Sequence, residues 1–171
     1  KPDIVDEHFY RSYAWFFENT NYYDSYDRQG PKLFIGEYAA MTHGVASPEN
    51  RNNLICALAE AAFLTGLERN GEIVTMSAYA PLLGHVDGWQ WKPNLIWFDN
   101  LTSFGTVNYY VQQLFSRYKG TGCLKTDVVF SDAPSKPGRI LPLYASAVRM
   151  KKAGRFLSNW STPRVRRLRS R

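Results

Sequence analysis

Three short apolar segments divide the first 80 residues of the chain, at 4–9, 32–38 and 73–80. The segments at 32–38 and 73–80 are close to continuous apolar runs, which is the pattern of parallel strands buried on both faces, and 4–9 starts as an apolar run that meets carboxylates at Asp6 and Glu7. The second run passes through Gly36 and meets a carboxylate at Glu37. The pattern therefore predicts a buried strand that carries a charged side chain to its carboxyl end.

Helical periodicity fills the intervals between these runs. Aromatic side chains recur at three- and four-residue steps over 13–26, and apolar side chains form one stripe over 52–70. Either Asn50 or Asn52 is placed to cap the second of these helices. Residues 106–118 predict a third helix. Strands that alternate with helices predict parallel βαβ units, and hence either part of a (β/α) barrel or a small open sheet.

The pattern changes in the second half of the chain. Residues 82–103 predict a long aromatic loop, whereas 127–130 and 139–148 predict short strands separated by proline and glycine, as at the start of a β-sandwich. We therefore predict an α/β fold with three regions. These regions are βα units over 1–122, the first strands of a β-domain over 123–148, and a basic, disordered tail over 149–171.

The net charge of +6 belongs to that tail. Residues 149–171 hold nine Lys or Arg and no acid, so the rest of the chain has 12 basic residues against 15 acidic ones. A basic tail is able to neutralise phosphates of nucleic acid. Because the rest of the chain has no basic motif with interleaved aromatic residues, we expect no nucleic-acid partner.

Little in the composition indicates a metal or a membrane. Two cysteines, Cys56 and Cys123, are too few for a disulfide framework, and no His and Cys cluster has metal-ligand spacing. No apolar stretch reaches membrane-spanning length. We expect Cys56 to be a small buried residue, and we predict no cofactor.

Six segments in order carry a resemblance to a known family. Their sequences are DEHFY (6–10), GPKLFIGEYA (30–39), AEAAFLTGLERN (59–70), SAYAPL (77–82), GWQW (88–91) and GTVNYYVQ (105–112). Together they resemble the α-L-arabinofuranosidases of glycoside hydrolase family 51, over about residues 3–148. The resemblance implies that 1–122 are the last three βα units of a (β/α)8 TIM barrel and that 123–148 begin a β-sandwich. It also implies homo-oligomers, commonly hexamers, for the full-length protein.

The resemblance assigns roles to four residues. The family's catalytic nucleophile matches Glu37, and the His and Tyr that hold the nucleophile and the sugar match His8 and Tyr10. A substrate-binding glutamine matches Gln90. The neighbouring Trp89 suits a sugar platform, although loop packing explains its position equally well.

Other carboxylates have different expected positions. Asp6 and Glu7 are neighbours on a strand, so alternation sends them to opposite faces, and one is expected to form a salt bridge at the barrel rim. Glu60 and Glu68 lie on the predicted helix and are expected to be solvated or to pack against helices. The family's general acid/base is a Glu in an Asn-Glu pair on an earlier strand, and that dipeptide does not occur in this chain.

These observations predict part of a retaining α-L-arabinofuranosidase. Its substrates would be terminal α-L-arabinofuranosyl groups of arabinoxylan, arabinan or arabino-oligosaccharides. Since no residue matches the general acid/base, we expect negligible activity from this chain alone. The alternative is a catalytically inactive fragment or a carbohydrate-binding remnant.

Overall fold

A three-stranded parallel sheet organises the first half of the chain in the computed structural model, which describes residues 2–130, 141, 143–150 and 156–161. The strands β1 (Ile4–Ser12), β2 (Lys32–Met41) and β3 (Val74–Tyr79) lie in the order β1-β2-β3. Helix α1 (Tyr13–Glu18) follows the first strand and helix α2 (Leu54–Arg69) follows the second. This alternation is the parallel βαβ pattern that the sequence predicts.

Helix α1 is shorter than the predicted helix over 13–26. The Ser12 hydroxyl accepts a hydrogen bond from the Trp15 amide at its start. At its end the Asn19 side chain donates to the Trp15 carbonyl at 2.8 Å. An Asn side chain that binds nearby backbone groups competes with helix propagation. The residues that follow Asn19 therefore form turns, and their aromatic rings pack onto the helix and the sheet.

Helix α2 is the central helix of the fold. Its cap is Asn53, whose side chain accepts from the Cys56 amide at 2.9 Å, so the prediction of Asn50 or Asn52 was wrong by one residue. Cys56 is buried, as predicted. At Gly66 an added Cβ would lie 1.9 Å from the Thr20 carbonyl oxygen. Glycine at this position is therefore required for the turn after α1 to approach the helix.

Aromatic rings fill the space between α2 and the sheet. Phe63 on α2 contacts the rings of Phe9 on β1, Phe16 on α1 and Tyr38 on β2, with centroid distances of 5.2–6.5 Å. All four side chains are buried. This cluster fixes α2 against one face of the parallel sheet and leaves the other face of the sheet without a helix among the described residues.

The predicted aromatic loop over 82–103 contains a small sheet. Strands β4 (Leu83–His85), β5 (Ile96–Phe98) and β6 (Ser103–Gly105) pair in that order, the first pair parallel and the second antiparallel. Helix α3 (Val107–Arg117) follows, capped by Thr106, and it lies close to the predicted 106–118. No helix in the described ranges is both long enough and apolar enough to cross a membrane.

A third, antiparallel sheet contains β7 (Gly122–Leu124), β8 (Tyr144–Arg149) and β9 (Phe156–Ser161). The strand predicted at 127–130 does not form, and within 139–148 the strand begins only at Tyr144, with 139, 140 and 142 outside the described residues. The expected disordered tail is wrong for 156–161, because these residues pair with β8 as β9. Their pairing exchanges backbone hydrogen bonds and needs no particular side chain, which explains why the sequence pattern missed it.

The described residues thus form an α/β fold with an open parallel sheet. Parallel sheets are normally covered on both faces. Here Ile4 and Met76, on the face away from α2, are each 46 % exposed. The larger barrel of which this sheet would be a part remains a prediction.

Candidate functional site

Four polar side chains gather at the carboxyl half of β1 and β2. Asp6, His8 and Tyr10 occupy every second position of β1, so they share one face of the sheet. Glu37 on β2 lies directly opposite His8 in the parallel register. This face is the one opposite α2, and the side chains of His8 and Glu37 are 45 % and 43 % exposed.

A β-bulge turns Glu37 onto this face. Glu7 pairs with Ile35, but His8 pairs with Glu37, so Gly36 is an extra residue on β2. In a regular strand Glu37 would point to the same side as Ile35, which is fully buried against the helices. The bulge moves the carboxylate from the core side to the open side.

Gly36 is required at the bulge because Asp6 occupies the space beside it. The Gly36 amide donates to Asp6 Oδ1 at 3.0 Å. A Cβ on Gly36 would lie 2.3 Å from that same oxygen, which is far inside van der Waals contact. The Asp6 side chain therefore stabilises the bulge, and the bulge leaves room for Asp6 only because residue 36 is glycine.

One oxygen of Glu37 receives the contacts of its neighbours. The Tyr10 hydroxyl donates to Glu37 Oε2 at 2.6 Å, and His8 Nδ1 lies 3.7 Å from the same oxygen. Glu37 Oε1 has no hydrogen-bond partner in the part of the chain that the structure describes. Burial and the bond to Glu37 raise the pKa of Tyr10, so this phenol stays protonated and remains a donor.

Asp6 is a member of the cluster to which the sequence assigned no role in the site. Its Oδ2 lies 3.0 Å from His8 Nε2, so the imidazole bridges two carboxylates. The carboxylate of Glu7 lies on the other face, where it accepts hydrogen bonds from Tyr23 and Tyr26. The prediction that Asp6 and Glu7 diverge is confirmed. The signal for Asp6 was its alternation with His8 and Tyr10.

Of the two positions expected for Glu60, packing against a helix is the one observed. Glu60 is fully buried on α2, not solvated, and it accepts from the Ala40 amide at 2.9 Å and from Asn108 Nδ2 at 2.8 Å. Burial raises the pKa of Glu60 to about 8, although the two hydrogen bonds oppose that shift. Glu60 therefore links α2 and α3 to β2, and its contact on β2 is Ala40, three residues after Glu37.

Trp89 and Gln90 lie away from this cluster, in the segment that follows β3. Trp89 lines a groove of about 410 Å³ together with Trp97 and Phe104. Lys92 Nζ lies 3.9 Å from the centroid of the Trp89 ring. Gln90 is exposed. No contact joins Trp89 or Gln90 to Glu37 within the described ranges, so their role toward a sugar stays a prediction.

The polar cluster contains one imidazole and two carboxylates, but they are not arranged as a metal site. In the described part of the chain, no group of three or more His, Cys, Asp and Glu side chains is arranged to hold a metal ion. The available chemistry is that of a half-exposed carboxylate with one oxygen held by a phenol and the other open. Such a group is suited to nucleophilic attack or to proton transfer.

The family model that matches this chain is described as the alpha-L-arabinofuranosidase C-terminal domain, and it matches residues 36–157. Glu37 lies within that match, whereas Asp6, His8 and Tyr10 precede it. The match covers more than half of the chain.

Full-length relatives carry related names. The chain is 48 % identical over 118 residues to an extracellular exo-alpha-L-arabinofuranosidase of Streptomyces chartreusis, a match that covers 69 % of this chain and 13 % of that protein. It is 35 % identical over 153 residues to alpha-L-arabinofuranosidase 1 of Arabidopsis thaliana, covering 90 % of this chain and 21 % of the relative. The chain therefore spans about a fifth or less of the length of these two relatives.

A solved structure shows a similar arrangement. The arabinose-bound MgGH51 α-L-arabinofuranosidase superimposes on this chain with a TM-score of 0.83 at 33 % identity. The match covers 95 % of this chain and 26 % of the chain of that enzyme. The family model, the two relatives and this structure agree. The chain belongs to the alpha-L-arabinofuranosidase C-terminal domain family and corresponds to the C-terminal region of a family 51 enzyme.

Proposed function

We propose that this chain is part of a retaining α-L-arabinofuranosidase in which Glu37 is the nucleophile. The observation that carries the proposal is the hydrogen bond from Tyr10 to Glu37 Oε2 at 2.6 Å, beside His8, in a chain of this family. This bond holds one oxygen of the carboxylate, and the other oxygen has no hydrogen-bond partner among the described residues.

The reaction follows the two-carboxylate scheme of retaining glycosidases, whose carboxyl groups lie roughly 5–5.5 Å apart. Glu37 Oε1 attacks the anomeric carbon, and the bond from that carbon to the leaving oxygen breaks. A general acid gives its proton to the leaving oxygen. In the second step the same group removes a proton from water, which attacks the anomeric carbon and releases Glu37.

The general acid/base must be a second carboxyl group. By resemblance it is a Glu in an Asn-Glu pair, and no such dipeptide occurs among the 171 residues. Asp6 does not suit this role because its two oxygens already contact Gly36 and His8. We therefore expect efficient hydrolysis only when the rest of the enzyme supplies the acid.

The proposed fold of the whole enzyme follows the same argument. We assign β1, β2 and β3 as the last three strands of a (β/α)8 barrel, and β7, β8 and β9 as the beginning of a β-sandwich. Support comes from the parallel order of the first three strands and from a candidate site toward their carboxyl ends, where barrel enzymes place their chemistry. The domain limits 1–122 and 123–148, and oligomerisation of the full-length protein, belong to this proposal.

The proposed substrates are arabinose-containing polysaccharides and oligosaccharides such as arabinoxylan and arabinan. The relatives are named for action on α-L-arabinofuranosides. Gln90 and Trp89 are proposed to contact the sugar from the segment that follows β3. His8 and Tyr10 would contact it from β1, since both flank Glu37.

The test uses a substrate whose leaving group needs no proton. With 2,4-dinitrophenyl α-L-arabinofuranoside, we expect the 171-residue chain to gain one arabinosyl group on Glu37, because nucleophilic attack alone suffices. Intact-protein mass spectrometry followed by peptide mapping locates the group. With an unactivated alkyl arabinofuranoside we expect no detectable turnover.

Matched variants make the assignment specific. Glu37→Gln should abolish the labelling, whereas Glu49→Gln, which changes an exposed glutamate in the loop after β2, should label like the parent chain. The same label on the Glu37→Gln variant, or a label on another residue of the parent, would overturn the proposed role of Glu37.

A further inference from the structure

The groove beside Trp89 lies between two segments that follow the carboxyl ends of strands. Arg51 and Asn52 come from the loop after β2, and Trp89, Lys92 and Trp97 come from the segment after β3. Carboxyl ends of parallel strands meet at one edge of a sheet, which is also the edge toward which Glu37 lies. The groove and the candidate nucleophile therefore belong to the same edge of the molecule.

The floor of the groove is aromatic and held by a sheet. Trp97 on β5 and Phe104 on β6 are direct antiparallel partners, so their side chains lie on the same face of the small sheet. Phe104 is 57 % exposed. Exposed aromatic groups on a rigid support often mark a binding surface, and flat rings of this kind stack on the apolar faces of sugars.

The loop that supplies Arg51 is also rigidly placed. The buried Asn50 side chain accepts hydrogen bonds from the Thr42 and His43 amides and donates to the Gly44 carbonyl. Asn52 donates to the Tyr79 hydroxyl at 3.2 Å. Arg51 lies between these two anchored residues, so its backbone position is well defined at the rim of the groove.

The charge of the groove is positive and unbalanced. Arg51 and Lys92 both line it, and no Asp or Glu does. Neither cation forms an ion pair with a carboxylate in the ranges that the structure describes. Partial burial and the nearby Arg51 guanidinium lower the pKa of Lys92, which agrees with two like charges placed close together.

We infer that this groove is a subsite for a negatively charged sugar, a uronic acid carried by the glycan, with its ring on Trp97 and Phe104 and its carboxylate between Arg51 and Lys92. Arg binds carboxylates in a planar, bidentate geometry, and Lys adds a point charge. A volume of about 410 Å³ suits a small ligand of one or a few sugar rings. The inference rests on the proposed function, and it adds that the preferred glycans carry acidic residues near the arabinose.

The experiment compares two trisaccharides that differ only in their carboxyl groups. The probes are α-1,4-trigalacturonate and α-1,4-galactotriose, with inorganic phosphate as a third. Binding to the 171-residue chain is followed by NMR through the five tryptophan indole N–H signals, assigned by single Trp→Phe variants. We expect trigalacturonate to shift the Trp89 and Trp97 signals and to bind at least about tenfold more tightly than galactotriose, the factor expected of one charge-assisted hydrogen bond.

Two charge-matched double variants test the cations. Arg51→Gln with Lys92→Gln should weaken trigalacturonate binding by about tenfold or more. Arg117→Gln with Lys125→Gln removes the same charge from exposed positions outside the groove and should leave the affinity unchanged. Equal loss in both pairs would reduce the effect to overall charge and overturn the inference. So would equal affinity for the two trisaccharides, or phosphate binding as tight as that of trigalacturonate.

A parallel measurement separates this inference from the proposed function. An α-L-arabinofuranoside should shift the His8 ring signals, and should do so equally in the Arg51→Gln, Lys92→Gln variant. If arabinofuranoside binds near His8 and trigalacturonate shifts no indole signal, the subsite is wrong and the proposed function stands. If trigalacturonate binds while arabinofuranoside neither shifts His8 nor labels Glu37, the groove binds acidic sugars but the proposed function fails.

Discussion

Two carboxylates, Glu37 and Glu60, lie on either side of strand β2 in different surroundings. Glu37 is half-exposed on the open face, and Tyr10 donates to one of its oxygens. Glu60 is fully buried on α2, on the helix side, and both of its oxygens accept hydrogen bonds. Glu37 is a residue of β2, whereas Glu60 reaches β2 from α2 by accepting a hydrogen bond from the Ala40 amide.

The difference shows how surroundings decide what a carboxyl group does. The Tyr10 phenol holds one oxygen of Glu37 and leaves the other oxygen without a hydrogen-bond partner among the described residues, which suits a nucleophile. Burial favours the neutral form of Glu60 and raises its pKa to about 8. Glu60 has no contact with the open face in the described part of the chain, so its contribution is to hold the end of β2 against α2 and α3.

The largest expected effect on stability comes from removing the polar group of Glu60. Glu60→Leu leaves the Ala40 amide and the Asn108 side chain buried without their acceptor. Each unsatisfied buried group costs about 1–3 kcal/mol, so we expect the free energy of unfolding to fall by about 3–5 kcal/mol. Urea denaturation followed by circular dichroism measures this change.

Two comparison variants sharpen the contrast between the carboxylates. Glu60→Gln keeps an acceptor for Ala40 and should cost much less than Glu60→Leu. Glu37→Gln changes a half-exposed group and should lower stability by no more than about 1 kcal/mol, while it abolishes labelling by the activated arabinoside. Equal destabilisation by Glu60→Leu and Glu37→Gln would contradict the separation of a structural and a reactive carboxylate.

The pH dependence of stability is the next effect in size. The folded-state pKa of Glu60 is about 8 and its ordinary value is 4.5. Between these values the folded chain binds more protons at this site than the unfolded chain does, so the free energy of unfolding falls as pH rises from about 4.5 to about 8. At about 1.4 kcal/mol for each pKa unit, the upper limit of the fall is roughly 5 kcal/mol, and we expect about 2–4 kcal/mol.

The difference between the parent chain and Glu60→Gln isolates this slope. Cys56, Tyr38 and Tyr79 face Glu60, and burial raises the pKa of each of them, to about 12 for Cys56. They stay neutral throughout the window and contribute no slope. The stability of the parent chain relative to Glu60→Gln, followed as urea midpoints at several pH values, should therefore fall from pH 4.5 to pH 8, because in this window Glu60 ionises in the unfolded chain while it stays protonated in the folded one. A parent-minus-variant difference that is flat from pH 4.5 to 8 would refute a raised pKa.

The sequence pattern predicted the elements better than it predicted the contacts between them. β1, β2, β3, α2 and α3 lie within a few residues of their predicted positions, because apolar periodicity reports directly on burial. The turns after α1 were missed because Asn19 binds the backbone locally in place of helix propagation. The small sheet within 82–103 was missed because strands of three residues leave almost no periodic signal.

In the candidate site, too, the residues were easier to predict than the contacts between them. Strand alternation was sufficient to place His8 and Tyr10 on one face, and the resemblance selected Glu37. The bulge was not predictable, since it depends on Asp6 meeting the Gly36 amide from 30 positions away in the chain. Simple alternation in β2 would have placed Glu37 with Ile35 in the core. Burial of Glu60 was equally hidden, because α2 is covered on more sides than a single apolar stripe implies.

The smallest expected effect tests the bulge that separates the two carboxylates. Gly36→Ala places a Cβ 2.3 Å from Asp6 Oδ1, so either Asp6 or the bulge must shift. Overpacking of this kind costs about 1–3 kcal/mol, and the displaced Glu37 should label more slowly. Gly44→Ala is the matched control, because a Cβ there meets nothing within 4 Å.

A double-mutant cycle with Asp6→Ala separates the clash from a general effect of alanine on the strand. If the clash is with Asp6, Gly36→Ala should cost less in the Asp6→Ala background, with a coupling of about 0.5–3 kcal/mol. Labelling should remain slow in the double variant, because the Asp6 side chain that holds the Gly36 amide and His8 is then absent. Additive costs in the cycle would mean that the cost of Gly36→Ala does not come from a clash with Asp6, and would contradict the proposed link between Asp6 and the bulge.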